Sequence, residues 1–362
     1  MAPMRRLAGI FTIVGALIAV APRGWMSQSP QAAQPAARVT ATRLPQNPLV
    51  TFRSSPTLGD NINGPSIIRV PPWIEKPLGR YYMYFAHHMG AFIRLAYADA
   101  VEGPWKIYEP GVLPVNETAF FRPQPDPAEN LENFYTHVAS PEVYIDDANR
   151  RLVMWFHGWW TDGTMWPVGE PAARAWARQH GYAQFTQSAD SRDGLRYTVH
   201  PAITKSSYLR VFQRDGYFYS LSRLGQLLRS RDPFASFDIG ASAFRDGPYA
   251  NRVRHVALLQ RDGTLYVFFT GIGDAPERVM LSTIDLTTDW KAWTASAPIE
   301  LLRPEAPYEC PTLPNAPSEA GDIKGPAQQL RDPGIFEENG RTYLFYSICG
   351  EQGLAAATLA FQ

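Results

Sequence analysis

The chain has 362 residues, with 34 Lys and Arg against 34 Asp and Glu, so it carries no net field that would attract nucleic acid or an anionic membrane. With 32 Pro, 27 Gly, 19 Phe, 17 Tyr and 10 Trp, it reads as many short strands joined by turns and not as a helical bundle. A neutral partner such as a sugar suits that balance.

The start reads as an export signal. Arg5 and Arg6 precede an apolar run from Leu7 to Ala21, and a small-residue stretch follows from Ala32 to Ala37. About fifteen apolar residues are fewer than the roughly 20 that a spanning helix needs, which favours cleavage over anchoring. Residues 1–37 are therefore assigned to a signal peptide and linker, and 38–362 to one domain that is secreted or periplasmic and has no membrane partner once the signal is removed. Only Cys310 and Cys349 occur, and their spacing leaves pairing open.

Five segments share one plan: an apolar strand, a tight turn, and a second strand rich in aromatic and β-branched residues. They are Pro65–Val70 leading to Gly79–Phe85, Pro141–Asp146 to Arg150–Phe156, Leu209–Phe212 to Gly216–Leu221, Val256–Leu259 to Gly263–Phe269, and Pro333–Phe336 to Gly340–Tyr346. Asp215-Gly216, Asp262-Gly263 and Asn339-Gly340 are hairpin-turn pairs, since both positions of such a turn need positive φ. Successive turns lie 47 to 77 residues apart (216 to 263 and 263 to 340 at the extremes), right for a four-stranded sheet with variable loops.

Third strands follow from Ile93, Ala183, Gly225, Val279 and Leu354. The expectation is an all-β, five-bladed β-propeller, with a pair of β-sandwiches as the alternative. The last third strand ends near the C-terminus, so Pro48–Arg53 is expected to supply the fourth strand of blade five and close the ring.

In a propeller the innermost strands start at one axial mouth. Aligning the turns puts Gly64, Ser140, Tyr208, His255 and Asp332 at one register there, among polar neighbours Asn61, Asn63, His137, Glu142, Arg210, Arg254 and Arg331. Glycoside hydrolysis commonly uses two carboxyl groups, one protonated and one ionised. Asp332 is the first choice for the ionised group, with Arg331 and Arg254 expected to hold its pKa down. The alternative is plain Asp-Pro turn chemistry.

Glu142 is the candidate acid, against the alternative that it faces a neighbouring blade and pairs with an arginine. Glu309 is a third catalytic candidate, against a solvated loop. Asn63, His137, Tyr208, Arg254, His255 and Arg331 are candidate substrate-binding residues. Trp159 and Trp166, in a Trp-rich insertion from Gly158 to Tyr182 with a short helix expected at 171–178, are candidates for stacking on sugar rings, against simple packing. His87, His88 and His255 show no metal-ligand spacing, so no metal site is assigned. No cofactor is expected, although a structural divalent ion in the central channel is compatible with these residues.

Ser140-Pro-Glu-Val-Tyr-Ile-Asp, Leu95-Ala-Tyr-Ala-Asp-Ala-Val-Glu-Gly-Pro-Trp, Ser188-Ala-Asp-Ser-Arg-Asp-Gly-Leu and Arg331-Asp-Pro-Gly-Ile-Phe-Glu-Glu-Asn-Gly carry a resemblance to the five-bladed glycosidase superfamily of glycoside hydrolase family 43 and, more distantly, family 32. The resemblance implies hydrolysis of furanosides or pyranosides in plant or algal oligo- or polysaccharides. Two departures accompany it. Asn63-Gly64-Pro65 stands where family 43 opens blade one with its Asp-Pro base, and Glu309-Cys310 precedes Arg331-Asp332-Pro333, the reverse of the family 32 order. A non-catalytic carbohydrate-binding propeller and a polysaccharide lyase using Tyr208 and His255 therefore stand as alternatives.

Overall fold

The computed structural model describes residues 38–87, 90–121, 137–160 and 183–362. The proposed signal, His88, Trp166 and the 171–178 helix lie outside the described residues. What is described is five antiparallel sheets, four of four strands and one in which a short strand adds a fifth. Blade one is β3 (Asn63–Arg69), β4 (Tyr81–Ala86), β5 (Phe92–Ala98) and β6 (Lys106–Pro114); blade two is β7 (Ala139–Asp146), β8 (Arg151–Trp160), β9 (Ala183–Ser191) and β10 (Thr198–Thr204). Blade three is β11 (Arg210–Arg214), β12 (Tyr217–Leu221), β13 (Gln226–Ser230) and β14 (Asp238–Ser242); blade four is β15 (Val253–Arg261), β16 (Thr264–Gly271), β17 (Val279–Asp285) and β18 (Ile299–Leu302). Blade five is β19 (Arg331–Glu338), β20 (Arg341–Ile348) and β21 (Gly353–Phe361), completed by β1 (Val39–Arg43) and β2 (Val50–Thr51) from the other end of the chain.

The hairpins form as their residues dictate. Asp215 and Gly216, Asp262 and Gly263, and Asn339 and Gly340 all have positive φ, from 43° to 84°. Flanking pairs Arg214 with Tyr217, Arg261 with Thr264 and Glu338 with Arg341 leave two-residue turns between them.

The first strands of neighbouring blades touch all the way round, β3 to β7 to β11 to β15 to β19 and back to β3, which is the closed ring of a five-bladed propeller. Each of the five interfaces holds its own apolar cluster. Met83 and Phe85 meet Phe345 and Leu354 between blades one and five, Tyr82 and Tyr84 meet Leu152 and Met154 between one and two, and Trp155 meets Phe218 between two and three. Tyr219 meets Phe269 between three and four, and Phe268 meets Leu344 between four and five. Alternate residues of β4 thus serve different neighbours, which is why Tyr81–Ala86 is buried throughout. Each such fully buried side chain stabilises the ring by about 1.5–3 kcal/mol, and no blade buries both faces alone.

Closure differs in one respect from the sequence reading. The fourth strand of blade five is mainly Val39–Arg43, paired with Ala357–Phe361, while the expected Pro48–Arg53 segment contributes only Val50 and Thr51, opposite Leu354 and Gly353. Pro48 has no N–H for the ladder. Between the two short pairings the Asn47 side chain takes over, its Nδ2 donating to the Ala356 carbonyl at 2.8 Å and its Oδ1 accepting from the Ala356 N–H at 2.9 Å.

Candidate active site

At the mouth, four of the five inner strands carry the same irregularity. Between Asn63 and Ser66, Ala139 and Glu142, Val253 and Val256, and Arg331 and Gly334, the inner strand has one more residue than its partner. Three of these bulges contain a proline, Pro65, Pro141 or Pro333, that lacks a ladder donor. The residue before each proline turns left-handed: Gly64 at φ 64°, Ser140 at 46° and Asp332 at 49°. Such bulges re-aim a side chain at a rim. By strand pairing, the blade-four equivalent of Asp332 is Arg254, not His255; the sequence alignment slipped there because blade four has no proline to mark the bulge.

Gly64 has a local reason to be glycine. A Cβ there would lie 3.1 Å from the Ser140 Cα, and φ is 64°, so a side chain at this point would press on the neighbouring backbone from a strained conformation.

Asp332 is fully buried, and its Oδ1 contacts His255 Nδ1 while its Oδ2 accepts from Ser347 Oγ at 3.1 Å. From His255 a wall of rings continues along the mouth. The Tyr208 ring lies 4.1 Å from His255 and 4.1 Å from His157, and His157 is 5.8 Å from His137. Burial raises the Tyr208 pKa above the ordinary tyrosine value, so it stays a neutral phenol. His157, within β8 and paired with Ala139, escaped the sequence reading because its register belongs to a second strand.

Beside this wall runs a buried charge network. Arg254 Nε meets Glu277 Oε1 at 2.7 Å, Arg331 Nε lies 3.3 Å from Glu277 Oε2, and Arg331 Nη1 meets Glu351 Oε1 at 2.9 Å. Asn63 Nδ2 donates to Asn61 Oδ1 at 2.6 Å, and Asn61 donates on to Glu351. Arg254 is thus engaged by Glu277, and Arg331 by Glu277 and Glu351. Glu277 and Glu351, both fully buried, carried no sequence signal because they sit in loops outside the repeated register.

The segment between β18 and β19 lies against this network. It supplies the carbonyls of Gly321, 2.9 Å from Arg254 Nη1 and 3.1 Å from Arg331 Nη1, and of Glu319. Cys310 within it is bonded to Cys349 beyond β20, resolving the pairing that the sequence left open. By loop-closure entropy, removing a bridge across 39 residues costs about 4 kcal/mol. Cys310→Ala with Cys349→Ala is therefore expected to lower the denaturation midpoint clearly in denaturant titrations, and an unchanged midpoint would refute that role.

The other two proposed carboxylates stand apart. Glu142 lies below the rim, its Oε2 2.9 Å from Arg210 Nη1 and 3.3 Å from Ser66 Oγ, so the arginine pairing weighed as its alternative is the one that forms. It borders a channel cavity of about 60 Å³ with Pro65, Ser66 and Gly334. That space takes a few waters but is far below the roughly 300 Å³ at which ligand pockets begin.

Burial raises the Glu142 pKa, against the opposing pull of Arg210 and hydrogen bonds from Val211 N–H and Ser66. The folded state thus holds this proton to higher pH than the unfolded chain. The resulting stability is complete below the ordinary glutamate range, about 4.3, and is lost as pH rises through the raised value. Glu142→Gln has no proton to lose, so its thermal midpoint should gain on wild type as pH rises; a difference independent of pH would count against this assignment.

Glu309 is buried, not solvated. Arg43 grips it twice at 2.8 Å, Tyr346 donates at 2.9 Å, and the N–H groups of Glu305 and Ala306 donate at 2.8 and 2.9 Å. None of these partners belongs to the mouth, and the carboxylate fastens β1 to blade five. Trp159 is half-buried near the end of β8. Among the described residues no group of three or more His, Cys, Asp or Glu is arranged to hold a metal ion, and no helix is long and apolar enough to cross a membrane.

No family model matches the chain. Over 341 residues it is 33% identical to the "Uncharacterized protein R118" of Acanthamoeba polyphaga mimivirus, a match covering 88% of this chain and 89% of that protein. The chain belongs to the same family as that viral protein.

This chain also has neighbours among solved structures. One belongs to the GH130 family of mannoside phosphorylases and of glycoside hydrolases that target β-1,2 mannosidic linkages in Candida mannan, at 14% identity and TM-score 0.56, covering 91% of this chain and 95% of that one. An α-L-arabinofuranosidase from Lactobacillus brevis matches at 12% identity and TM-score 0.53 over 86% and 92%. The GH43_1 enzyme from Xanthomonas citri, solved with xylose, matches at 13% and 0.53 over 89% and 90%. At such identities the likeness is one of fold, and the fold of this chain is a five-bladed β-propeller.

Proposed function

We infer that this protein hydrolyses glycosidic bonds of plant or algal oligo- or polysaccharides at the axial mouth. The observation that carries the reading is the Asp332–His255 contact in a rim bulge, with a wall of rings beside it. Asp332 is the ionised carboxylate that faces the charge developing on the sugar, and His255 is the group through which the proton moves. Tyr208, neutral because it is buried, donates a hydrogen bond to a sugar oxygen. The likeness in fold to carbohydrate-active enzymes supports the same reading.

The disulfide supports an oxidising workplace, in keeping with secretion or a periplasmic home. Zero net charge supports a saccharide in preference to nucleic acid.

The test is product analysis with aryl glycosides and with arabino-, xylo-, galacto- and manno-oligosaccharides. Release of reducing sugar is expected, and binding without release would replace hydrolysis with a lectin role. One observation favours elimination as the second reading: Tyr208 stands between two imidazoles. Release of an ultraviolet-absorbing unsaturated uronide from an oligouronide offered in parallel would select it.

A further inference from the structure

At the opposite end of blade one from the mouth, a groove of about 230 Å³ opens between the Leu78 turn and the β5–β6 edge. Its walls are Leu78, Tyr97, Asp99, Lys106 and the backbone around Gly103 and Pro104. The pairing of β5 with β6 sets Lys106 directly across from Tyr97, and Asp99, two residues on from Tyr97, follows on the same side. The half-buried Tyr97 ring forms one wall, while Asp99 and Lys106 are exposed at the rim. The Asp99 carboxylate accepts one weak hydrogen bond, from the Arg80 N–H at 3.3 Å through Oδ1. No ion pair or hydrogen bond engages Lys106 among the described residues. β5 runs from the mouth side at Phe92 to Ala98, so at about 3.3 Å per residue the groove lies about 20 Å from the rim.

We propose that this groove is a second saccharide-binding site, taking one neutral sugar unit of a chain that also reaches the mouth or of a neighbouring chain. The occupant follows from the chemistry of the walls. An anion would meet the Asp99 carboxylate and a cation the Lys106 ammonium, whereas a neutral polyol donates to the first and accepts from the second. The Tyr97 ring and Leu78 cover an apolar sugar face, as aromatic side chains cover other flat partners. The site rests on the saccharide reading of the mouth for its ligand class, but it shares no residue with the mouth. It would hold polymer to the enzyme and leave the chemistry of a single small glycoside unchanged.

The test uses full-length protein carrying Asp332→Asn, so that no probe is consumed, titrated by calorimetry with xylotriose, arabinotriose and mannotriose, each too short to span the about 20 Å between groove and mouth. At least one of these is expected to bind with two sites per chain. Adding Tyr97→Ala, or separately Lys106→Ala, should remove one site or weaken it at least tenfold and leave the other unchanged. With Asp332 intact, Tyr97→Ala should slow hydrolysis of polymer but not of an aryl glycoside. One site per chain that is indifferent to both substitutions overturns the groove and spares the mouth. A single site abolished by Tyr97→Ala upholds the groove and removes the mouth as a saccharide site. No binding of any probe overturns both.

Discussion

Asp332→Asn is expected to lower kcat/KM on a cleavable oligosaccharide by about a hundred- to a thousand-fold, the usual range for losing a group aimed at charge that develops in the transition state. Asparagine keeps the size of the side chain and can still accept from Ser347, but it brings no charge and takes no proton. His255 then faces a neutral amide in place of a carboxylate. Thermal unfolding of the variant separates catalysis from folding, because the wall of Tyr208, His157 and His137 does not depend on that charge for its packing. A folded Asp332→Asn protein that keeps more than a tenth of wild-type turnover would remove Asp332 from the mechanism and leave hydrolysis itself in need of another carboxylate. Glu277 and Glu351 would be next in line.

The second large effect concerns stability. Arg43→Ala leaves the Glu309 carboxylate buried with Tyr346 and two backbone N–H groups but without its counter-charge. Stranding one member of a buried pair costs about 3–5 kcal/mol. For a domain of this size that is a drop in thermal midpoint of about 5–7 °C. The pair ties β1, the closing strand of blade five, to the segment between β18 and β19, so the loss falls on ring closure, and calorimetric scans will register it. Removing both charges, with Arg43→Met and Glu309→Gln, should recover much of the loss, because an amide is far cheaper to bury than a lone carboxylate. If the double variant is no better than Arg43→Ala alone, the charge pairing is not what holds the two ends together.

Much of the fold was legible because a propeller repeats. Each blade writes its own hairpin turn, and Asp-Gly or Asn-Gly at such a turn has few other uses. The aromatic second strands are legible for a related reason: alternate residues face different neighbouring blades, so both faces must be apolar. The site was legible where a proline marks the rim bulge, as at Asp332, and was misread by one position in blade four, where Arg254–His255 has no such mark.

Glu142 and Glu309 mark the other limit. Both are carboxylates beside suggestive neighbours, yet one is paired to Arg210 inside the channel wall and the other to Arg43, 266 residues away in sequence. Composition and periodicity do not report which arginine a carboxylate meets, since that depends on how far apart in the chain two touching segments lie.

By itself, the sequence determined the number of blades, the turns that fold them, and the placing of Asp332 and Tyr208 at inner-strand starts, because these are local consequences of backbone preference and strand alternation. Tertiary structure alone decided that His157 stands with Tyr208 and His255, that Glu277 and Glu351 hold the two buried arginines, and that Val39–Arg43 closes the ring. Those outcomes rest on contacts between blades, whose geometry is fixed only when five sheets share one axis.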